Sequence, residues 1–258
     1  MTDIRTVRAS QHPTSDRNAA HASLPADGHR RPLNIRVGVD AGNDVSLGHV
    51  HRPIWRGGVH TIGLILAVPA VIVLLLSADG GTRSRLGVAV YAIGLCSMLT
   101  ASVTYHRWVH GLRARCAWRR ADHAAIFAAI GGSSTPIVLT ALPGVTGIVL
   151  LGGVWWAAIV GAACKLARWG GGDRAGTAFY AVTITLGAVA VPWLWARQGI
   201  GPAVFVVAGG IVYLIGAMCF ARQWPTLRPA VFSYHEVWHV FTVVAAVAQF
   251  VAIWMLAN

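Results

Sequence analysis

The sequence predicts an all-α membrane protein that crosses the bilayer seven times. Of its 258 residues, 55% are hydrophobic and 12% are charged, whereas soluble domains carry about twice that charged fraction. Seven apolar runs are each long enough to span a bilayer, for which a helix needs about 20 residues. Because lipid cannot satisfy bare backbone N–H and C=O groups, each run is expected to be a helix. The protein is therefore expected to be a multi-pass component of the cell membrane.

Two segments of different composition make up the chain. Residues 1–54 are polar, show no apolar periodicity and lack the apolar core of a signal peptide, so a disordered tail is predicted. Residues 55–258 hold all the apolar runs and are predicted to form one seven-helix domain. The predicted spans are 57–77, 86–106, 122–141, 146–167, 175–196, 201–221 and 232–256.

Short polar connections separate these runs. Asp79 and Asp173 stand beside glycines after the first and fourth runs, as turn residues do. An arginine-rich stretch follows the second run, and a short turn at Pro143-Gly144 separates the third run from the fourth. One basic residue follows the fifth run and two follow the sixth, so each apolar run has a defined end.

The distribution of basic residues predicts the orientation. Of the 21 Lys and Arg residues, 18 precede the first run or lie at or after the ends of the second, fourth and sixth runs, and 3 fall on the other side. By the positive-inside rule, the N-terminus is cytoplasmic and the C-terminus is outside. The net charge of +12 sits in the tail and between the runs. Membrane lipid, and not nucleic acid, is therefore the expected partner, and the oligomeric state stays open.

The last run begins with a motif that points to a metal ion. His235 and His239 are four residues apart, so they lie on one face of a helix and can bind the same ion. With Glu236 the pattern is H-E-x-x-H, in which two histidines hold zinc and the glutamate acts as a base. The alternative is that two unrelated histidines lie at the membrane interface.

The predicted topology brings polar residues of three runs to one membrane depth. The second run ends on the cytoplasmic side, where the third and seventh runs begin, so their polar ends are expected to meet within the inner leaflet. Ser102 lies one turn from His106 on the same helix face. Ionisable groups at such a depth are costly to bury and are therefore functional candidates. The candidates are Ser102, His106, Asp122, His123, His235, Glu236 and His239.

Simpler interpretations exist for individual residues. Asp122 is predicted at the start of a helix, where the helix dipole favours an acid. His60, His110 and His123 also fall on the cytoplasmic side, and we expect them at the interface or, at most, beside the metal ligands. The four cysteines show no C-x-x-C spacing, so neither disulfides nor thiolate zinc ligands are predicted.

Taken together, these residues resemble the hemolysin III family. That family belongs with the progestin and adipoQ receptors and, more distantly, with the alkaline ceramidases. The likeness covers roughly residues 55–258. The matching stretches are Ser102-x-x-x-His106, Asp122-His123-Ala124-Ala125-Ile126 leading into Gly131-Gly132-Ser133-Ser134-Thr135-Pro136, and His235-x-x-x-His239.

The resemblance implies a zinc ion held by three histidines, His106, His235 and His239, with a water in the fourth position. It also implies that Asp122 is hydrogen-bonded near that water, and Ser102 matches a serine of the family. These two are the candidate catalytic residues. Glu236 and His123 are then candidates for positions next to the ligands.

Two functions of different classes follow. The first is a zinc-dependent hydrolase that acts on an amide or ester of a lipid at the inner leaflet, because three protein ligands leave zinc an open position. The second is a pore-forming or receptor-like protein in which zinc is structural, although a pore should show a polar helix face that these spans lack. An intramembrane zinc protease, suggested by H-E-x-x-H alone, lacks a further acidic motif and ranks third.

Overall fold

The computed structural model describes residues 53–167 and 173–258. Within these two ranges the chain folds into eight α-helices and one π-helical turn, with no β-strand. The elements are α1 (Gly58–Ser77), α2 (Gly81–Val103), the π turn (Thr104–Trp108), α3 (Leu112–Ala141), α4 (Val145–Ala167), α5 (Asp173–Ala188), α6 (Val191–Gln198), α7 (Ile200–Ala221) and α8 (Tyr234–Ala257).

Seven segments of the described chain are long and apolar enough to cross a membrane, which confirms the predicted fold class. The fifth of them, Ala175–Gln198, consists of α5 and α6 joined at Val189-Ala190. Pro192 stands in the first turn of α6. Because proline has no backbone N–H, it cannot continue the hydrogen-bond ladder of α5, and the helix is interrupted there. Which side of the membrane the N-terminus faces stays a prediction.

Two helices extend beyond their predicted spans. The second spanning segment covers Gly81–Trp108 where 86–106 was expected, and α3 begins at Leu112 where 122 was expected. Hydropathy underestimates the length of both helices because arginine recurs in the extra turns, and arginine is polar and yet a good helix former. Asp122 therefore lies inside α3, so its interpretation as a helix-start acid is wrong.

The chain entering α1 is tied to the loop that precedes α8. The backbone N–H groups of Ile54 and Trp55 donate to the carbonyl oxygens of Ala230 and Val231, each over 3.2 Å. The starts of the first and last spanning helices are thus held together. Residues 1–52 and their predicted disorder lie outside the described residues.

Small residues let α2 and α3 approach closely. A Cβ atom on Gly94 would lie 2.3 Å from the carbonyl oxygen of Ala128, and one on Gly132 would lie 3.1 Å from the carbonyl oxygen of Val90. Close backbone approach of this kind is how helices associate in lipid, where apolar burial alone gives little driving force. These contacts fix the position of α2 along the axis of α3.

The two ends of the bundle differ in composition. We call the end that carries His106, His235 and His239 the histidine end, and the other the opposite end. From the middle of the bundle to the opposite end, α1, α2 and α8 share a buried apolar cluster. Its members are Val71, Leu74, Ala78, Val88, Tyr91, Leu95, Met98, Leu99, Ile253 and Ala257.

Candidate metal centre

The π turn at the end of α2 carries His106. The backbone N–H of Val109 donates to the carbonyl oxygen of Thr104 over 3.1 Å, which closes a turn one residue wider than that of an α-helix. Gly57 lies against this turn with a positive φ of 76°, and a Cβ atom there would stand 2.8 Å from Cβ of His106. The His106 side chain therefore packs directly against the backbone at Gly57, just before α1.

A capping box fixes the start of α8. The Ser233 hydroxyl accepts from the backbone N–H of Glu236, and Oε2 of Glu236 accepts from the backbone N–H of Ser233 over 2.8 Å. The other oxygen, Oε1, accepts from Nε of Arg56 over 2.6 Å, and Glu236 is fully buried. Glu236 thus sets where α8 begins, which in turn places His235 and His239 on successive turns.

The rings of His106, His235 and His239 form a nearly equilateral triangle. Their centroids are separated by 4.8 Å, 5.0 Å and 4.7 Å. The Nε2 atoms of His106 and His235 lie 3.2 Å apart, and one ring nitrogen from each of the three histidines lies within 4.8 Å of the others. The predicted convergence of three histidines from two helices is confirmed, and the cluster can hold a metal ion.

The donor set fits zinc. Two nitrogens bound to one tetrahedral zinc ion at 2.0–2.1 Å stand about 3.4 Å apart, close to the spacing of the two Nε2 atoms. In addition, Nδ1 of His239 is buried without a hydrogen-bond partner among the described residues. Leaving a polar atom unsatisfied in this way is costly, and imidazole nitrogen is a preferred zinc ligand.

Asp122 and Ser102 lie beside this cluster. Oδ2 of Asp122 is 4.0 Å from Nε2 of His106. The hydroxyl of Ser102 lies close to the Asp122 carboxyl group, and Ser102 itself is buried. The structure therefore brings together the three candidate ligands and both candidate catalytic residues.

The remaining two candidates have other contacts. Glu236 is engaged by Arg56 and by the start of its own helix. The backbone carbonyl oxygen of His123 accepts a hydrogen bond from the Tyr180 hydroxyl over 2.6 Å, which ties α3 to α5 next to the site.

Two contributors to the histidine end went unnoticed in the sequence. Arg56 is the ionic partner of Glu236, and Thr242 lies one turn beyond His239. A third, His60 of α1, was expected at the interface or, at most, beside the metal ligands. It is buried, and its ring stacks on that of His239, with centroids 3.8 Å apart.

The fold and the site define a class: a multi-pass integral membrane protein with a cluster of two buried histidines and one half-buried histidine, suited to a metal ion, at one end of its helix bundle. The chain belongs to the Haemolysin-III related family, whose model matches residues 48–250. It is similar to Hemolysin-3 of Bacillus cereus, with 30% identity over 203 residues that cover 78% of this chain and 90% of that protein. It is also similar to the Hemolysin-3 homolog of Bacillus subtilis (strain 168), with 26% identity over 78% of this chain and 92% of that protein.

Proposed function

We propose that this protein is a zinc-dependent hydrolase that cleaves an amide or ester bond of a membrane lipid. The observation that carries the proposal is the meeting of three histidine nitrogens with the Asp122 carboxylate beside them. Three neutral nitrogen donors leave tetrahedral zinc one open position, which catalytic zinc sites keep and structural sites lack. A carboxylate next to that position is the usual partner of a hydrolytic zinc.

In this proposal His106, His235 and His239 hold zinc, which supplies Lewis-acid activation of water. Asp122 takes up a proton at Oδ2, the oxygen that lies 4.0 Å from Nε2 of His106. The Ser102 hydroxyl lies beside the same carboxyl group and helps to position it.

Glu236 is a poor candidate for the base, despite its place in the H-E-x-x-H pattern. One of its oxygens accepts from Nε of Arg56 and the other from the backbone N–H of Ser233. A buried carboxylate with both oxygens hydrogen-bonded cannot approach a substrate unless it first breaks these bonds, one of which caps the start of α8. We therefore assign the base to Asp122 and a positioning role to Glu236.

A lipid is the substrate that the surroundings favour. Ile215, Met218 and Val240 are exposed on the turns of α7 and α8 that flank the histidines, and all three are apolar. Acyl chains can lie against such a surface while a polar headgroup bond reaches the site. The asymmetry of basic residues predicts that this end lies at the inner leaflet.

A second candidate is membrane lysis, with a metal ion that only joins α2 to α8. The names of the two relatives, Hemolysin-3 and Hemolysin-3 homolog, favour it. The exposed faces of the described helices are largely apolar, whereas a pore needs a polar face along a helix. We therefore rank lysis below hydrolysis.

The test is lipid hydrolysis by the purified full chain loaded with zinc. Short-chain ceramide and matched ester lipids serve as substrates, and released fatty acid is measured by mass spectrometry. Wild type should release fatty acid, and Asp122→Asn should keep its zinc but turn over roughly a hundredfold more slowly, as losses of a general base do. If zinc-loaded wild type cleaves none of these lipids but makes dye-filled vesicles leak, lysis becomes the preferred function.

A further inference from the structure

The side chain of His60 makes two hydrogen bonds within the bundle. Its Nδ1 lies 2.7 Å from Oγ of Ser102 in α2, and its Nε2 lies 2.8 Å from Oγ1 of Thr242 in α8. Only 4% of its surface is exposed. One imidazole of α1 thus joins the two helices that carry the histidine cluster.

The direction of one of these hydrogen bonds can be worked out. The Thr242 hydroxyl has a single proton, and it donates that proton to the carbonyl oxygen of His239 over 2.8 Å. Thr242 must therefore accept at its hydroxyl oxygen, so the Nε2–H of His60 is the donor. His60 is in this way linked through Thr242 to the backbone of His239.

The His60 ring also covers one face of the His239 ring. The two imidazoles are parallel within 3°, with centroids 3.8 Å apart. Rotation of His239 out of this plane would lose the stack and would drive its ring into His60. The His60 ring thereby limits the orientations that His239 can adopt.

On its other side, His60 contacts Ser102, which lies next to Asp122. Because Nε2–H of His60 donates to Thr242, Nδ1 is left as an acceptor, and the single hydroxyl proton of Ser102 is donated to it. The Ser102 hydroxyl also lies close to the Asp122 carboxyl group. A shift of the His60 ring would therefore move Ser102 relative to Asp122. His60 thus contacts a candidate ligand and a direct neighbour of the candidate base at the same time.

We propose that His60 is a positioning residue, which holds the His239 ring and the Ser102 hydroxyl in the geometry that zinc binding requires. The proposal rests on the proposed function in that it takes zinc to be the ion. Residues that orient metal ligands commonly change metal affinity by about 10–100-fold when they are replaced. His60 meets this description through one stack and two short hydrogen bonds.

The competing explanation is that His60 only joins helices, since polar side chains between transmembrane helices also add stability. Three substitutions separate the two roles. His60→Phe keeps an aromatic ring over His239 and removes both hydrogen bonds. His60→Gln restores a donor near Nε2 for Thr242, and His60→Asn restores a polar group near Nδ1 for Ser102.

The experiment measures zinc affinity of the detergent-solubilised full chain by competition with a chromogenic chelator, using zinc alone as the probe. Thermal unfolding of the metal-free protein is followed in parallel. We expect His60→Phe to weaken zinc binding at least about tenfold while the metal-free protein stays folded at the temperature of the titration, and His60→Gln or His60→Asn to recover part of the loss. His110→Phe is the matched control, because His110 is exposed outside the cluster, and it should bind zinc as wild type does.

Two results would overturn the proposal while leaving the proposed function intact. One is wild-type zinc affinity in His60→Phe. The other is a loss of affinity that merely follows a lower unfolding temperature and is not recovered by either polar variant. If wild type itself binds no zinc, the proposed function fails and the role of His60 fails with it.

Discussion

The same three helices meet at both ends of the bundle, but through different contacts. At the opposite end, α1, α2 and α8 pack through apolar side chains such as Leu74, Val88 and Ile253, all buried. At the histidine end they meet through His60 and Ser102, with hydrogen bonds of under 3 Å. Apolar packing tolerates small shifts, whereas a buried polar group loses its partner entirely when it moves. We therefore infer that apolar packing at the opposite end stabilises the fold, while the hydrogen bonds at the histidine end orient the candidate site residues.

The first prediction concerns which end of the bundle faces the cytoplasm, an outcome with only two possible results. The basic-residue asymmetry predicts that the histidine end faces the cytoplasm. Reporter fusions after residues 80, 110, 143, 170, 198 and 227 should alternate in location, starting outside. Two consecutive fusions on the same side would contradict the seven-span topology, and full inversion of the pattern would place the histidine end outside.

The strongest disruption is expected where α2 meets α3. In Gly94→Ala the new Cβ would lie 2.3 Å from the carbonyl oxygen of Ala128, a contact that only a backbone shift can relieve. Because this packing sets the height of α2 against α3, we expect loss of folded protein together with zinc binding. Monodispersity after solubilisation measures the first and metal analysis the second. Gly152→Ala is the control, since nothing lies within 4 Å of its new Cβ, and a fully folded Gly94→Ala would contradict the close-packing argument.

Removing the candidate ligands should abolish zinc binding at the histidine end and leave the packing of the opposite end intact. A variant with His106→Ala, His235→Ala and His239→Ala is expected to lose stoichiometric zinc, because these three form the metal-binding group found among the described residues, and His60 alone would supply only one nitrogen ligand there. The opposite end contains none of these residues, so the protein should still be solubilised as a monodisperse species. Zinc per chain is measured by elemental analysis, and retention of one zinc per chain would refute the assignment.

Glu236→Gln should affect stability more than chemistry. The substitution removes the charge that pairs with Arg56 while keeping the side chain's shape, and breaking a buried pair typically costs about 3 kcal/mol. We expect a lower unfolding temperature, zinc still bound, and lipid turnover reduced far less than in Asp122→Asn. If Glu236→Gln alone abolishes turnover while zinc and stability are kept, Glu236 is the base and Asp122 is not.

The smallest effect is expected at the opposite end. Ile253→Val removes one methyl group from a fully buried position and should destabilise the protein by about 1 kcal/mol. Zinc affinity should not change, because the polar contacts of the histidine end are untouched. Ile211→Val, at a position 52% exposed on the outer face of α7, controls for the chemistry of the change. A change in zinc affinity in Ile253→Val would show that the two ends are coupled.

Local patterns in the sequence determined much of this protein. Apolar length predicted the seven spans, because a bilayer leaves a chain segment of that length little choice but a helix. The four-residue spacing predicted that His235 and His239 share a helix face, and the alternation of spans brought His106 to the same depth. Each of these inferences depends on neighbours in sequence or on the bilayer itself.

The tertiary structure alone decided which polar groups are partners. Glu236 pairs with Arg56, 180 positions away, and His60 bonds to partners 42 and 182 positions away. Such pairings depend on the rotation and height of each helix, which follow from close contacts such as that of Gly94 with Ala128. Hydropathy and periodicity carry no information about these contacts, because a helix has the same apolar length and the same spacing whichever face it turns to its neighbours.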